Sequence, residues 1–170
     1  IAEFAARFLG FVATGLSSLL ASELDVKLDK RFQQHDWAQR PLAPEHLAYL
    51  TGDVLHLLAL DDHLAEKAEA DLREDLLLAL DGASFAGVSR RYQITATLVT
   101  LDASSNGASV VTRSAVEIAV VDDTGKMLGT ARGSGRVEAE HGYADAATDA
   151  TRRACQEAVT SAVDLARGAR

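Results

Sequence analysis

The sequence has one cysteine, two prolines and no long apolar run. Because Cys155 is the only cysteine among 170 residues, an internal disulfide and a zinc site built on a cysteine pair are both excluded. No window reaches about 18 consecutive apolar residues, and no basic segment precedes an apolar one, so we expect neither a membrane span nor a signal peptide. We therefore expect a cytoplasmic protein without membrane contact, in which Cys155 is a small apolar residue of a helix.

The chain also lacks an excess of positive charge. It carries 25 acidic and 17 basic side chains, a net charge of −8. The whole excess lies in residues 1–82, which contain 15 Asp/Glu and 7 Lys/Arg, whereas residues 83–170 contain 10 of each. A surface that binds nucleic acid through its phosphates is usually basic, so the first half alone is poorly suited to tight, salt-dependent binding.

Apolar side chains recur with a helical period throughout the first half. The chain begins inside a helix of about ten residues, which is typical of a fragment boundary, and a second helix runs from about residue 16 to about 25. A loop with both prolines follows. Since Pro44 is tolerated in a first helical turn and no later proline intervenes, we expect an almost uninterrupted helix from Glu45 to about Leu80, in which a break near residues 60–62 is open.

From residue 90 the apolar period changes to two, as in a half-buried strand. We expect a first strand from about residue 90, strands over residues 109–121 and 127–138, turns at 103–107 and 122–125, and then a helix over 143–166. Gly129, Gly133 and Gly135 either weaken the third strand or mark the close approach of another backbone. Four alanines would place the last helix on the sheet: Ala147, Ala154, Ala158 and Ala162.

These patterns predict an α+β protein in two parts. Residues 1–80 form a helical part, and residues 83–170 form a three-stranded antiparallel meander with a C-terminal helix.

Residues 29–60 contain an ordered set of chemically distinctive side chains. Its members are Lys30, Asp36, Trp37, Arg40, Pro41, Leu42, Tyr49, Asp53 and Val54. Tyr49 and Asp53 are four residues apart on a predicted helix, so they project from the same face. A carboxylate in that position can hold a divalent cation, and a phenol beside it can orient a water molecule. The same spacing is also common on ordinary surface helices.

This set, with the two helices before it, resembles the carboxy-terminal part of the ribonuclease D type of 3′-5′ exonuclease domain over about residues 1–75. The resemblance implies part of a ribonuclease H-like fold and two-metal hydrolysis of single-stranded RNA with Mg²⁺ or Mn²⁺ in RNA processing. It implies that Asp53 is a metal ligand, that Tyr49 positions water, and that Lys30 and Arg40 contact phosphates.

The resemblance also implies what this chain is missing. Four acidic residues hold the metals in this family, and only Asp53 matches one of them. One carboxylate cannot hold two cations that each take about six oxygen ligands, so we expect this chain alone to be inactive even though its parent was a nuclease.

Several alternatives stay open at this level. The protein could be a non-enzymatic interaction module, with a helical layer on a small sheet, and a sheet edge could support a homodimer. Trp37 is expected mainly to anchor its loop. The remaining candidates for a metal cluster are His35, His46, His56 and His63, which we interpret as surface histidines because no metal-binding spacing accompanies them.

Overall fold

The structure, a computed structural model, describes residues 2–11, 13–105, 109–140 and 143–169. Its helices are α1 (Ala2–Phe8), α2 (Leu16–Glu23), α3 (Pro44–Leu55), α4 (Leu57–Asp81) and α5 (Tyr143–Gly168). Its strands are β1 (Tyr92–Ser105), β2 (Val110–Asp122) and β3 (Met127–Ala139), which form one antiparallel sheet in the order β1-β2-β3. The α+β class and the meander with a terminal helix are confirmed. Among the described helices, none is both long and apolar enough to cross a membrane.

The helical run after Pro44 divides at His56, so the expectation of a nearly uninterrupted helix is wrong, and no break occurs near residues 60–62. His56 ends α3 and precedes α4, with φ −101° and ψ −1°. The two helices pack against different partners, because α3 contacts the loop before it while Leu60 and Leu64 of α4 are buried against α1 and α2. Residue 60 therefore lies in the buried first turn of α4, and the two helices are separated at His56, one turn earlier.

The first strand extends further than its turn signal indicates. Ala103, Ser104 and Ser105 pair with residues 110–112 of β2, although the expected turn began at residue 103. Residues 106–108 of that turn lie outside the described residues. A register shift between Leu98 and Thr100 lets Leu101 point into the core beyond it.

Helix α5 covers one face of the sheet at very close range. A Cβ atom added at Gly133 would overlap the carbonyl oxygen of Ala154, and one added at Gly135 would overlap that of Ala150. The close backbone approach is therefore observed at Gly133 and Gly135, whereas at Gly129 the nearest atoms belong to the Leu165 side chain. The four predicted contact alanines are buried, and Cys155 is fully buried beside them. Burial in this apolar environment raises the pKa of the Cys155 thiol to about 12.

Helix α4 contributes to the cores of both halves. Leu60 and Leu64, near its start, belong to a cluster with α1 and α2, whereas Ala79, near its end, belongs to the cluster between α5 and the sheet. A third cluster joins Phe8 of α1 to Leu101 of β1 and to Ala147 of α5. Residues 1–80 and 83–170 are thus in contact, and their assignment as two domains stays a prediction.

Candidate functional site

The residues of the motif lie on one loop and the helix that follows it. The loop connects α2 to α3, and α3 begins after Ala43, which has an extended backbone, with Pro44 in its first turn. The Ala43 amide donates to Nδ1 of His46 at 3.4 Å, which satisfies one of the free amides at the start of the helix. The backbones of Tyr49 and Asp53 therefore lie one turn apart on α3, as expected. The Asp53 side chain lies outside the described part of the chain, so its role stays a prediction.

An aromatic cluster holds Tyr49 against the loop. The Tyr49 ring stacks on Trp37, with centroids 5.5 Å apart and planes at 27°, and meets Phe32 edge-on at 5.8 Å. His35 and His46 complete the cluster, with ring centroids 3.9 Å apart. Such aromatic pairs contribute about 0.5–1.5 kcal/mol each beyond their buried area. Trp37 thus anchors the loop, and it does so by packing directly on Tyr49.

These contacts change the interpretation of the histidines. His35 and His46 are half-buried in the aromatic cluster and are not simple surface residues, and the Nε2 atom of His35 is buried without a hydrogen-bond partner. His63 lies on α4, where its Nε2 is 3.3 Å from Glu23. His56 is at the junction of α3 and α4.

A small cavity of about 170 Å³ lies beside Tyr49 and carries charges of both signs. Asp29 and Arg31 line it together with Glu45. The two carboxylate oxygens of Asp29 accept from Nε of Arg31 at 3.1 and 2.8 Å. The hydrogen bonds from Arg31, first from its side chain and then from its backbone, lower the pKa of Asp29. One of the two carboxylates that line this cavity, Asp29, is therefore already paired.

The two predicted phosphate contacts are both exposed. Lys30 lies on the surface of the loop. Arg40 is also exposed, but its Nη1 donates to the carbonyl oxygens of Trp37 at 2.7 Å and Gln39 at 2.8 Å, so part of its guanidinium holds the loop together. Their binding to nucleic acid stays a prediction.

The described residues do not fit a two-cation site. Mg²⁺ and Mn²⁺ are hard cations that take about six oxygen ligands, and within the described residues no group of three or more His, Cys, Asp or Glu side chains could hold a metal ion. Asp29 is engaged by Arg31, and Asp36 accepts from the Ala38 amide at 3.1 Å. The side chains around Tyr49 thus supply an ordered aromatic and charged surface but not a complete ligand set.

The N-terminal part of the chain is similar to known proteins. Residues 1–69 match the model of a family described as 3′-5′ exonuclease. The N-terminal part of the chain is exonuclease-like. The ribonuclease D of Pseudomonas paraeruginosa is 41% identical over 78 residues, which are 43% of this chain and 21% of that protein. The ribonuclease D of Gluconacetobacter diazotrophicus is 34% identical over 89 residues, 49% of this chain and 23% of its own length.

The resemblance to ribonuclease D is therefore confirmed for the exonuclease-like part. The chain spans about a fifth of the length of these curated relatives. A solved structure from Caulobacter crescentus CB15, provisionally named a lipoprotein, aligns with 59% of this chain and 83% of its own at a TM-score of 0.39 and 23% identity.

Sequence reasoning did not identify the support around Tyr49. Phe32 and His46 pack on the motif, and Arg31 engages Asp29. The sequence patterns assign no role to Phe32, Asp29 or Arg31, and they predict a surface position for His46. His46 could have been found from its position three residues before Tyr49 on the same helical face. No local pattern indicated that the loop would bring Phe32 back to the helix.

Proposed function

We propose that residues 1–75 carry the Tyr49–Asp53 part of a ribonuclease D-like 3′-5′ exonuclease site, whose parent enzyme hydrolyses single-stranded RNA with Mg²⁺ or Mn²⁺. The observation that carries this proposal is the packing of Tyr49 between Trp37 and Phe32, which joins the separate parts of the motif into one surface. The family match over residues 1–69 supports it.

Each residue of the motif has a role in this proposal. Asp53 is the metal ligand and Tyr49 orients the attacking water, while Lys30 and Arg40 contact the phosphates. Because the described residues do not supply a complete set of metal ligands, we propose that this chain alone does not hydrolyse RNA. The cytoplasmic location remains a prediction from the sequence.

Two measurements test the proposal. The chain is incubated with an end-labelled single-stranded RNA in Mg²⁺ or Mn²⁺, and we expect no shortening beyond the rate in buffer. In the second experiment, residues 1–75 replace the matching segment of the Pseudomonas paraeruginosa ribonuclease D. If that enzyme degrades the same RNA, we expect the chimera to do so as well, and to lose at least about 100-fold in rate on Asp53→Ala.

The outcomes separate the two parts of the proposal. Hydrolysis by the isolated chain that disappears on Asp53→Ala would show that the chain is itself an enzyme. A folded chimera that is inactive, or whose activity is indifferent to Asp53→Ala, would show that these residues are not a working part of a nuclease site. Ala48→Ser, an exposed change beside Tyr49, serves as the matched control and should leave the chimera active.

A second function, an interaction module without enzymatic activity, is favoured by the exposed apolar side chains of α3 and α4. Leu47, Val54 and Leu58 are 52%, 60% and 80% exposed, although such residues are usually buried when a helix packs on its own domain. The chimera distinguishes the two functions. An interaction module would not give the enzyme a working segment, whereas part of a nuclease site would keep the chimera active and sensitive to Asp53→Ala.

A further inference from the structure

The outer edge of β3 is closed at one end by side chains of α5. The Ser134 amide donates to Oε2 of Glu157 at 2.7 Å, and the carbonyl oxygen of Arg136 accepts from Nη1 of Arg153 at 3.2 Å. Both groups point away from β2. Because backbone polar groups of residues two apart point to the same side of a strand, those of Thr130 and Arg132 also point to the outer edge.

At Thr130 and Arg132 this edge is open. Among the described residues, none hydrogen-bonds to the outward backbone groups of these two residues. A groove of about 860 Å³ lies there, between β3 and the C-terminal end of α5. An unpaired strand edge beside a helix is a site where an extended peptide can add as a further strand.

The groove exists because α5 diverges from the strand. At Gly133 and Gly135 the helix backbone comes so close that a Cβ atom would overlap it, whereas at Gly129 the nearest atom is a side-chain carbon of Leu165, 3.7 Å from the added Cβ position. The space between strand and helix therefore widens towards the C-terminus of α5. Leu128, Ala131 and Leu165 provide apolar walls to this space.

The charges along the groove favour an acidic occupant. Lys126 and Arg132 line it, and the one acidic residue of its lining, Asp164, is paired with Nη1 of Arg167 at 2.7 Å. A second copy of β3 would bring another Lys126 and Arg132 to the same place, so like charges oppose self-pairing.

We propose that the edge of β3 at Thr130 and Arg132 binds an extended acidic peptide as a fourth strand. The peptide backbone pairs with the outward N–H and C=O groups of these residues. Alternate apolar side chains of the peptide lie against Leu128, Ala131 and Leu165, and its acidic side chains lie near Lys126 and Arg132. This inference concerns the sheet and does not depend on the proposed nuclease function.

Binding of a fluorescein-labelled peptide with alternating valine and glutamate residues, followed by anisotropy with the full chain, tests the proposal. We expect saturable binding that is weakened about tenfold or more by Arg132→Glu, because this change places like charges together. Arg136→Glu is the matched control, since it changes the same kind of side chain where Arg153 already closes the edge, and it should change the affinity by less than about twofold.

Backbone pairing is tested separately. Thr130→Pro removes one outward amide and no bond to β2, so it should abolish binding while circular dichroism stays unchanged. If this variant does not fold, hydrogen exchange in the unaltered chain replaces it, and the peptide must slow exchange of the Thr130 and Arg132 amides.

Three results would overturn the proposal. The first is equal binding of the same peptide with alternate amides N-methylated, and the second is unchanged exchange at the Thr130 and Arg132 amides when the peptide is bound. The third is a concentration-dependent dimer of this chain that Thr130→Pro removes, which would assign the edge to a second copy.

Discussion

The two halves of the molecule bury their apolar side chains to different extents. Between the sheet and α5, Val116, Ile118 and Cys155 are completely buried. In the helical half, Leu60 is buried with 1% exposure, yet Leu58, two residues earlier on the same helix, is 80% exposed. Helical periodicity in a sequence thus predicts that a helix forms, but it does not establish that the chain itself supplies a partner for each apolar face.

The charge difference follows the same division. The net charge of −8 lies in residues 1–82, whereas residues 83–170 are balanced. A few pairs tie the acidic half to basic partners, among them Asp75 on α4 with Arg152 on α5. The sheet half has no net charge and also buries its apolar side chains more completely, so we expect it to contribute most of the stability of the chain.

The largest effect is expected where α5 meets β3. We expect Gly133→Val to destabilise the protein by about 3 kcal/mol or more, because the new side chain would overlap the backbone of α5. Urea denaturation followed by circular dichroism measures this free energy of unfolding. Gly82→Ala is the control, since its Cβ would be 3.6 Å from the carbonyl oxygen of Leu78, and it should cost less than about 1 kcal/mol. Equal midpoints for the two variants would contradict the close packing.

Two leucines of α4 test the difference in burial directly. Leu60→Ala should cost about 3 kcal/mol because it leaves a cavity among α1, α2 and α4. Leu58→Ala removes the same atoms from an exposed position and should change the free energy of unfolding by less than about 0.5 kcal/mol. If Leu58→Ala proves as costly as Leu60→Ala, the exposed face of the helical half is covered in solution and the contrast with the sheet half fails.

The ion pair between the halves should contribute less, and its contribution should depend on pH. Burial raises the pKa of Asp75, Arg152 opposes that rise, and the charges of Asp71 and Glu74 add to it. Arg152→Ala leaves Asp75 buried without its partner and should cost about 2 kcal/mol at pH 7.

The sign of the pH dependence follows from this raised pKa. The folded state holds the Asp75 proton more tightly than the unfolded chain, so its contribution to stability is fully present below the usual pKa and is lost as the pH rises through the folded value. Since Arg152→Ala raises that pKa further, the cost of the substitution should shrink as the pH falls towards 4. Arg153→Ala changes the adjacent arginine, whose hydrogen bond within the described part of the chain goes to the Arg136 carbonyl oxygen, and a similar shrinkage there would refute the role of Asp75.

The sequence predicted the elements of both halves about equally well, and its errors have identifiable causes. The alternation of apolar and polar residues around Ile94 predicts a strand, and the small alanine side chains of α5 predict a helix packed on the sheet. Both are local features of the sequence that burial against a sheet requires. The break at His56 and the extension of β1 to Ser105 depend on partners distant in sequence: the core around Leu60 and the pairing with Val110.

The candidate site divides in the same way. The helical spacing of Tyr49 and Asp53 is a local property, and their positions on α3 follow from it. The contact of Phe32 with Tyr49 and the pairing of Asp29 with Arg31 depend on how a long loop returns to its helix, for which the sequence carries no period. Only the aromatic composition of the stretch hinted at a packed cluster.

The smallest effect is expected at this aromatic cluster, which contains the only tryptophan of the chain. Tyr49→Ala removes the ring that stacks on Trp37, so we expect a red shift of the tryptophan emission and a loss of about 1 kcal/mol in the unfolding followed by fluorescence. Tyr49→Phe retains the stacked ring and should retain the emission.

In the sheet half, the raised pKa of the buried Cys155 keeps the thiol unreactive towards a thiol reagent until α5 opens, so its modification reports that half separately. We expect Tyr49→Ala to leave the urea dependence of Cys155 modification unchanged. If both signals shift together, α4 transmits the loss from one half to the other, and the two halves unfold as one cooperative unit.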